Sequence, residues 1–170
     1  MTRHWWFAGS IGALLPIAAA AYPDGAPWPA GHGARSDCSA CHFDSPAIAA
    51  SDGLVVEGLD RSLRAGETYP VTLRLSDPDA ELAGFVARFE RADGMAGRTV
   101  PEEGLEADGP AIRSVRPVKP DSSTASWRFH WTAPNEPGAI TFYVAANAAN
   151  GDASPFGDRI HLREWVLTVQ

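Results

Sequence analysis

The stretch "SWRFHWTAPNEPGAITFYVAANAANGD" (residues 126–152) decides the fold, because two strand patterns flank a turn within it. Its first part alternates the apolar residues Trp127, Phe129 and Trp131 with polar ones. An apolar residue at every second position is typical of a strand that is buried on one face. "PNEPG" then supplies turn residues, and residues 139–147 are rich in β-branched and aromatic side chains, as strands are. The stretch therefore predicts two antiparallel strands.

The same signal recurs on both sides of this stretch. Strands are predicted at 54–59, 69–77, 84–92, 125–133, 139–147 and 159–169, with Gly, Pro, Asn and Asp between most of them. No segment shows a sustained helical period, and 99–124 is predicted to be a long connection with one short strand near Ile112–Val115. Short strands at this spacing predict an all-β fold, an immunoglobulin-like antiparallel β-sandwich.

The start of the chain resembles a targeting segment. It has a basic beginning, an apolar run from Trp5 to Ala21 and several alanines at the end. We expect a secretory signal peptide that is cleaved near Ala21, and hence a periplasmic or secreted protein. The alternative is an uncleaved anchor, but the run is shorter than the roughly 20 residues of a spanning helix. Three units are expected: the signal peptide (1–21), an irregular segment (22–52) and the β-sandwich (53–170).

The charge of the chain limits its partners. It carries 14 Lys+Arg against 21 Asp+Glu, a net charge of −7 at pH 7. Binding to nucleic-acid phosphates needs clustered Lys and Arg, so we expect no nucleic-acid partner. An acidic surface attracts a basic partner protein instead. No Ser/His/Asp order, phosphate loop or isolated carboxylate pair stands out, so the sequence predicts no enzymatic activity.

Both cysteines of the chain lie in "CSACH" (38–42), within the irregular segment. This spacing lets two thiols reach the two vinyl groups of a porphyrin, and it brings the following histidine to the iron. Attachment of a c-type haem takes place in exported compartments, in agreement with the signal peptide. The motif therefore predicts one covalent haem c, bound by Cys38, Cys41 and His42, with His42 as the proximal metal ligand.

Three other interpretations of this motif stay open. Exported cysteines are often oxidised, so the pair could be a redox dithiol or a plain local disulfide. A thioredoxin-like dithiol needs a strand–helix context, which the sequence does not predict here. A structural zinc site would need His32 beside Cys38, Cys41 and His42, but the adjacent Cys41 and His42 fit poorly on one tetrahedral ion.

Two stretches carry a family resemblance. They are "LRAGETYPVTLRLSDPDAELAGFVARF" (63–89) and residues 126–158, in which "WTAP" (131–134) and "ANAANGD" (146–152) are the most specific parts. The chain resembles the bacterial Reelin-domain-like β-sandwich, also called the choice-of-anchor V module, in which a C-x-x-C-H motif often precedes the sandwich. The resemblance covers nearly all of 36–165, and it implies an immunoglobulin-like, exported and haem-bearing protein without an established activity.

The resemblance also leaves the sixth ligand of the iron open. It implies a histidine at the place of Tyr143 and another within 114–120 in many relatives, and this chain has neither. The remaining side chains that could bind the iron are Met95, His32, His130 and His161, and the last two are expected to be exposed on strand faces. An open sixth position is the other possibility. The oxygen atoms of Asn150, Asp152 and Asp158 form a weaker candidate calcium site.

The sequence thus favours an exported c-type cytochrome that transfers electrons to or from a redox partner protein, which is expected to be basic. The alternative is an extracellular binding or adhesion β-sandwich with a local Cys38–Cys41 disulfide and no haem. A haem-based sensor or small oxidase with an open sixth position is a third candidate.

Overall fold

The structure, a computed structural model, describes residues 38–39, 41–42, 44–59 and 62–170. The predicted signal peptide (1–21), the first part of the irregular segment (22–37) and the candidate ligand His32 therefore lie outside the described residues.

The described chain is built from strands. Their bounds are β1 (Leu54–Glu57), β2 (Ser62–Leu63), β3 (Thr68–Ser76), β4 (Leu82–Arg91), β5 (Gly94–Met95), β6 (Arg98–Pro101), β7 (Leu105–Asp108), β8 (Ala111–Ser114), β9 (Thr124–Thr132), β10 (Gly138–Ala149) and β11 (Arg159–Val169). The strands form a four-stranded sheet in the order β1-β3-β9-β6 and a seven-stranded sheet in the order β2-β11-β10-β4-β8-β7, in which β5 pairs with β4. The predicted all-β sandwich is confirmed. The pairing is antiparallel except for the two-residue β2, which runs parallel to β11.

Aromatic rings from both sheets fill the space between them. Trp131 of β9 stacks on Phe89 of β4 with 4.2 Å between ring centroids, and Phe89 stacks on Phe142 of β10 at 4.3 Å. The predicted alternation of β9 is confirmed, since Trp127, Phe129 and Trp131 are buried while the residues between them are exposed. Ring pairs of this kind contribute about 1 kcal/mol each beyond the area that they bury.

The segment 99–124 is more regular than its sequence predicts. In place of one short strand it contains most of β6 and all of β7 and β8, and β7 forms a hairpin with β8. β6 pairs with the second half of β9. These strands are four residues long, too short for alternation to stand out among the Gly, Pro and Glu residues of this segment.

The central strand β10 is buried on both of its faces. Phe142 and Val144 point into the core, and Tyr143 and Ala145, on the outer face, are 6% and 0% exposed. Successive side chains of a strand point to opposite faces of the sheet, so the outer face of an open sandwich is normally solvated. Another part of the chain must therefore cover this outer face.

Residues 44–53 lie against the first part of β11, on the edge that faces away from β10 and that β2 pairs with only at its far end. The backbone N–H of Ile48 donates to the carbonyl of Ile160 at 2.7 Å, and that of Leu162 donates to the carbonyl of Ile48 at 2.9 Å. The N–H of Ser51 donates to the carbonyl of Leu162 at 3.0 Å. The end of the irregular segment is thus added to the seven-stranded sheet by backbone hydrogen bonds.

A buried polar chain secures the same segment. The hydroxyl of Ser51 lies 2.7 Å from Nδ1 of His161, and Nε2 of His161 lies 2.9 Å from Oδ2 of Asp77. Arg159 pairs with the other oxygen of Asp77. Burial alone would raise the pKa of Asp77, but hydrogen bonds from Arg159, from the N–H of Asp79 and from His161 outweigh it and lower this pKa below its ordinary value. The hydrogen bond to Asp77 in turn raises the pKa of Arg159.

This network makes stability depend on pH. Because the pKa of Asp77 is lower in the folded state than its ordinary value of 3.8, the ionised carboxylate stabilises the fold above that pH. The contribution is lost as the pH falls through the folded pKa. We expect Asp77→Asn to lower the free energy of unfolding by about 3 kcal/mol at neutral pH. The difference from the wild type should shrink as the pH falls below about pH 5, as measured by urea unfolding.

The control for this experiment is Asp79→Asn. Asp79 contacts the same guanidinium of Arg159 at 2.9 Å but is 76% exposed, so its loss should change the stability by less than about 0.5 kcal/mol. An equal effect of the two substitutions would contradict the assigned role of the buried carboxylate.

The boundary predicted between residues 52 and 53 stays a prediction, and the structure shows how to test it. A chain of residues 53–170 keeps all eleven strands and should show a β-type circular dichroism spectrum and cooperative unfolding. It should be less stable than residues 44–170 by about 2 kcal/mol, because the buried ring of His161 loses its hydroxyl partner. Ser51→Ala in the longer chain should reproduce most of this loss, and Ser45→Ala, at an exposed position, should not. A disordered 53–170 chain would place the boundary earlier.

Candidate functional site

The C-x-x-C-H motif forms one compact turn. The backbone N–H groups of Cys41 and His42 both donate to the carbonyl of Cys38, at 3.3 Å and 3.1 Å. Bonds to the third and fourth preceding residues are those of a helical turn, which brings residues three and four apart to within roughly 6 Å of each other. The φ of Cys38 is +61°, so the chain enters the turn through a left-handed residue. The turn brings together Cys38 and Cys41, which the sequence predicts to attach a haem, and His42, which it predicts to bind the iron.

This turn lies against the outer face of the seven-stranded sheet. Cys38 packs on a buried cluster of Val86, Tyr143 and Ala145, and Leu162 packs on the same cluster. We call the apolar surface formed by Val86, Tyr143, Ala145 and Leu162 the outer patch. Three of these residues lie side by side on neighbouring strands, since Ala145 pairs with both Val86 and Leu162. The turn therefore helps to cover the outer face of β10.

The two thiols are not bonded to each other. Cys38 is half-buried against the outer patch and Cys41 is exposed. Arg88 of β4 lies opposite Tyr143 of β10. Its guanidinium is 5.7 Å from the centre of the Tyr143 ring and pairs with Glu90. A cationic side chain thus borders the apolar patch on the side away from His42.

His42 contacts a buried carboxylate. Its Nδ1 lies 2.9 Å from Oδ2 of Asp158, whose side chain is 3% exposed, whereas that of His42 is 22% exposed. The ring is turned so that the N–H direction misses the geometry of a linear hydrogen bond, which leaves this buried nitrogen without an aligned partner. Asp158 also accepts hydrogen bonds from Nδ2 of Asn147 at 2.9 Å and from the backbone N–H of Asn150 at 3.1 Å.

The structure separates the candidates for a sixth ligand. His130 is exposed on β9, in the opposite sheet, with its Nδ1 3.9 Å from Glu102. His161, expected to be exposed, is instead buried, and both of its ring nitrogens have partners in Ser51 and Asp77. Met95 lies in β5, where its backbone pairs with Glu90 in the same sheet as the outer patch. Neither His130 nor His161 is placed to share an iron with His42.

The candidate calcium ligands do not form a cation site. Asp158 is directed toward Asn147 and His42, while Nδ2 of Asn150 donates to Asp152 at 3.2 Å. Within the described ranges, no three His, Cys, Asp or Glu side chains come together as a metal site. The role of Asp158 was missed at the sequence level because its partner His42 is more than a hundred residues away along the chain.

The structure also assembles a serine, a histidine and an aspartate that no sequence pattern predicted. The hydroxyl of Ser51 is buried, and it accepts a hydrogen bond from the N–H of Gly53 at 3.1 Å. A serine that is closed to solvent and engaged by the backbone serves to hold residues 44–53 on β11.

In the part of the chain that the structure describes, no helix has the length and apolar character needed to cross a membrane.

Comparison with known proteins identifies the fold. No protein-family model matches this sequence, and no curated protein matches it. Among solved structures, the Reelin-N domain of F-spondin superposes with a TM-score of 0.53 at 19% identity, over 79% of this chain and 99% of that domain. A human F-spondin reeler domain gives a TM-score of 0.52 at 15% identity, over 75% of this chain and 96% of that domain. Similarity at this level of identity concerns the fold, and it shows that the chain folds as a Reelin-like β-sandwich.

Proposed function

We propose that this protein is an exported c-type cytochrome, with one haem held covalently by Cys38 and Cys41 and its iron bound by His42. The observation that carries the proposal is the contact between His42 and the buried Asp158. Histidines that bind metals almost always place their second ring nitrogen against a carboxylate or carbonyl.

The cysteines are suited to the attachment chemistry. Each thiol adds across one vinyl group, so that a C–S bond forms and the hydrogen goes to the neighbouring carbon, with no oxidant consumed. This requires both sulfurs to be reduced, and neither is bonded to the other here. The turn keeps Cys38 and Cys41 close together, and attachment to a single porphyrin requires this proximity.

The outer patch holds the turn that carries the cysteines against the sheet. Cys38 packs on the cluster of Val86, Tyr143 and Ala145, on a face that would otherwise be solvated. Apolar surroundings control the access of water to a bound metal and its reduction potential. When bound, the haem supplies a one-electron iron couple, and the chain holds it, orients His42 and shields one side of it.

The proposed location and partner follow from the sequence. Haem attachment of this type needs export, and the predicted signal peptide supplies it. A net charge of −7 favours a basic redox partner, because opposite charges steer the encounter of two proteins. The role proposed for the chain is electron transfer rather than catalysis.

A second candidate is an extracellular binding module without a haem. The fold favours it, since the solved structures that share this fold are reeler domains of F-spondin. In that case the two cysteines would form a local disulfide and the turn would only cover the outer face of β10. The two candidates differ in one measurable property, the covalent haem.

The first test is therefore attachment. Produced in a bacterial host with a c-type maturation system, the full chain should remain coloured after denaturing electrophoresis and gain the mass of one haem. Replacing both Cys38 and Cys41 by serine should abolish the colour, because no thioether bond can form, while Ser45→Ala should leave it unchanged. A colourless wild-type protein with a Cys38–Cys41 disulfide would contradict the cytochrome and favour the binding module.

A second test addresses the iron ligands. We expect His42→Ala to abolish the low-spin absorption spectrum, and only one of Met95→Ala and His32→Ala to alter it. His130→Ala is the control and should change nothing, because this residue lies on the opposite sheet. If the wild-type spectrum is instead high-spin and neither Met95→Ala nor His32→Ala alters it, the sixth position is open and the ferrous protein should bind carbon monoxide. Loss of the low-spin spectrum in His130→Ala would contradict the placement of the haem.

A further inference from the structure

The carboxylate of Asp158 is held in place by groups other than His42. An ionised carboxylate that is removed from water needs hydrogen-bond donors. Nδ2 of Asn147, near the end of β10, donates to one oxygen, and the backbone N–H of Asn150 donates to the other. Both donors belong to the same hairpin as Asp158. The position of the acid is therefore set before any contact with the C-x-x-C-H turn.

The connection between β10 and β11, residues 150–158, is itself fixed. Nδ2 of Asn150 donates to the carbonyl of Phe156 at 3.2 Å, which closes the loop on itself. Gly157 has a φ of +80°, and a Cβ at this position would lie 2.8 Å from Nδ2 of Asn150, so only glycine fits. The N–H of Gly157 also donates to Oδ2 of Asp44 at 2.6 Å. The loop thus holds the segment that carries His42 at two neighbouring points.

The contact distinguishes the two nitrogens of the His42 ring. Nδ1 faces Asp158 at 2.9 Å, so Nε2 is the nitrogen that remains for another ligand. In a neutral imidazole one nitrogen carries the proton and the other accepts, and the partner of the first decides which is which. A carboxylate accepts only, and it therefore favours the form with the proton on Nδ1.

We infer that Asp158 is a positioning residue that presents Nε2 of His42 to the haem iron and makes this imidazole a stronger electron donor, an inference that rests on the proposed function. The charge of a carboxylate held 2.9 Å from Nδ1 favours electron donation by the opposite ring nitrogen, and this stabilises the ferric state. Asp158 thereby lowers the reduction potential. Asn147, as a donor to the same oxygen, weakens this effect.

The first experiment compares haem-loaded full-length variants by redox titration and ferric absorption spectra. Asp158→Asn should keep the covalent haem, because the cysteines are unchanged, but shift the midpoint potential to more positive values. Asn147→Ala should shift it in the opposite direction, since the carboxylate loses a competing donor. Asp152→Asn is the matched control from the same loop and should leave the potential unchanged. A haem-loaded Asp158→Asn protein with the wild-type potential and spectrum would overturn the inference.

The second experiment needs no haem and does not depend on the folding of a variant. In the reduced, haem-free full-length wild type, the nitrogen chemical shifts of the neutral His42 ring should show the proton on Nδ1. A proton on Nε2 would overturn the inference whatever the potentials show. A wild-type protein that never takes up haem, yet carries the proton on Nδ1, would refute the proposed function and the redox role of Asp158, but not the orientation of the His42 ring by this carboxylate.

Discussion

The arrangement of this molecule depends on the burial of β10 on both of its faces. Its inner side chains enter the aromatic core, and its outer side chains Tyr143 and Ala145 are covered as well. A strand in the middle of a two-layer sandwich has only one layer to bury it. The segment before the sandwich must therefore pack on the outer face, and this places the C-x-x-C-H turn on the sheet.

Two buried carboxylates, those of Asp77 and Asp158, then hold the segment that precedes the sandwich. Asp77 holds it through His161 and Ser51, and Asp158 contacts it through His42. Each acid is placed in a connection by its own local hydrogen bonds, from the N–H of Asp79 in one case and from Asn150 in the other. Loops of the sandwich thus position the site, although Cys38 and Cys41 precede the sandwich in the sequence.

The sequence predicted the long strands well, because their signals are local: β9 alternates over its nine residues, and the twelve-residue β10 is rich in β-branched and aromatic side chains. It failed in 99–124, where three four-residue strands are defined by their pairing with β4, β9 and each other. At the site, the spacing of Cys38, Cys41 and His42 drew attention to the motif, but Asp158 was considered only within a weak candidate calcium site. Its chemistry depends on a partner 116 positions away, and only the fold brings the two together.

The half-buried position of Cys38 has a consequence for biogenesis. A maturation enzyme that joins a haem to both sulfurs must reach them from solvent, and the outer patch blocks this side of Cys38 once the turn has docked. For a cytochrome built on this sandwich, attachment must precede docking, during the interval between translocation and the closing of residues 44–53 onto β11. The rate at which residues 44–53 pair with β11 would then set the time available to the maturation machinery in the cell.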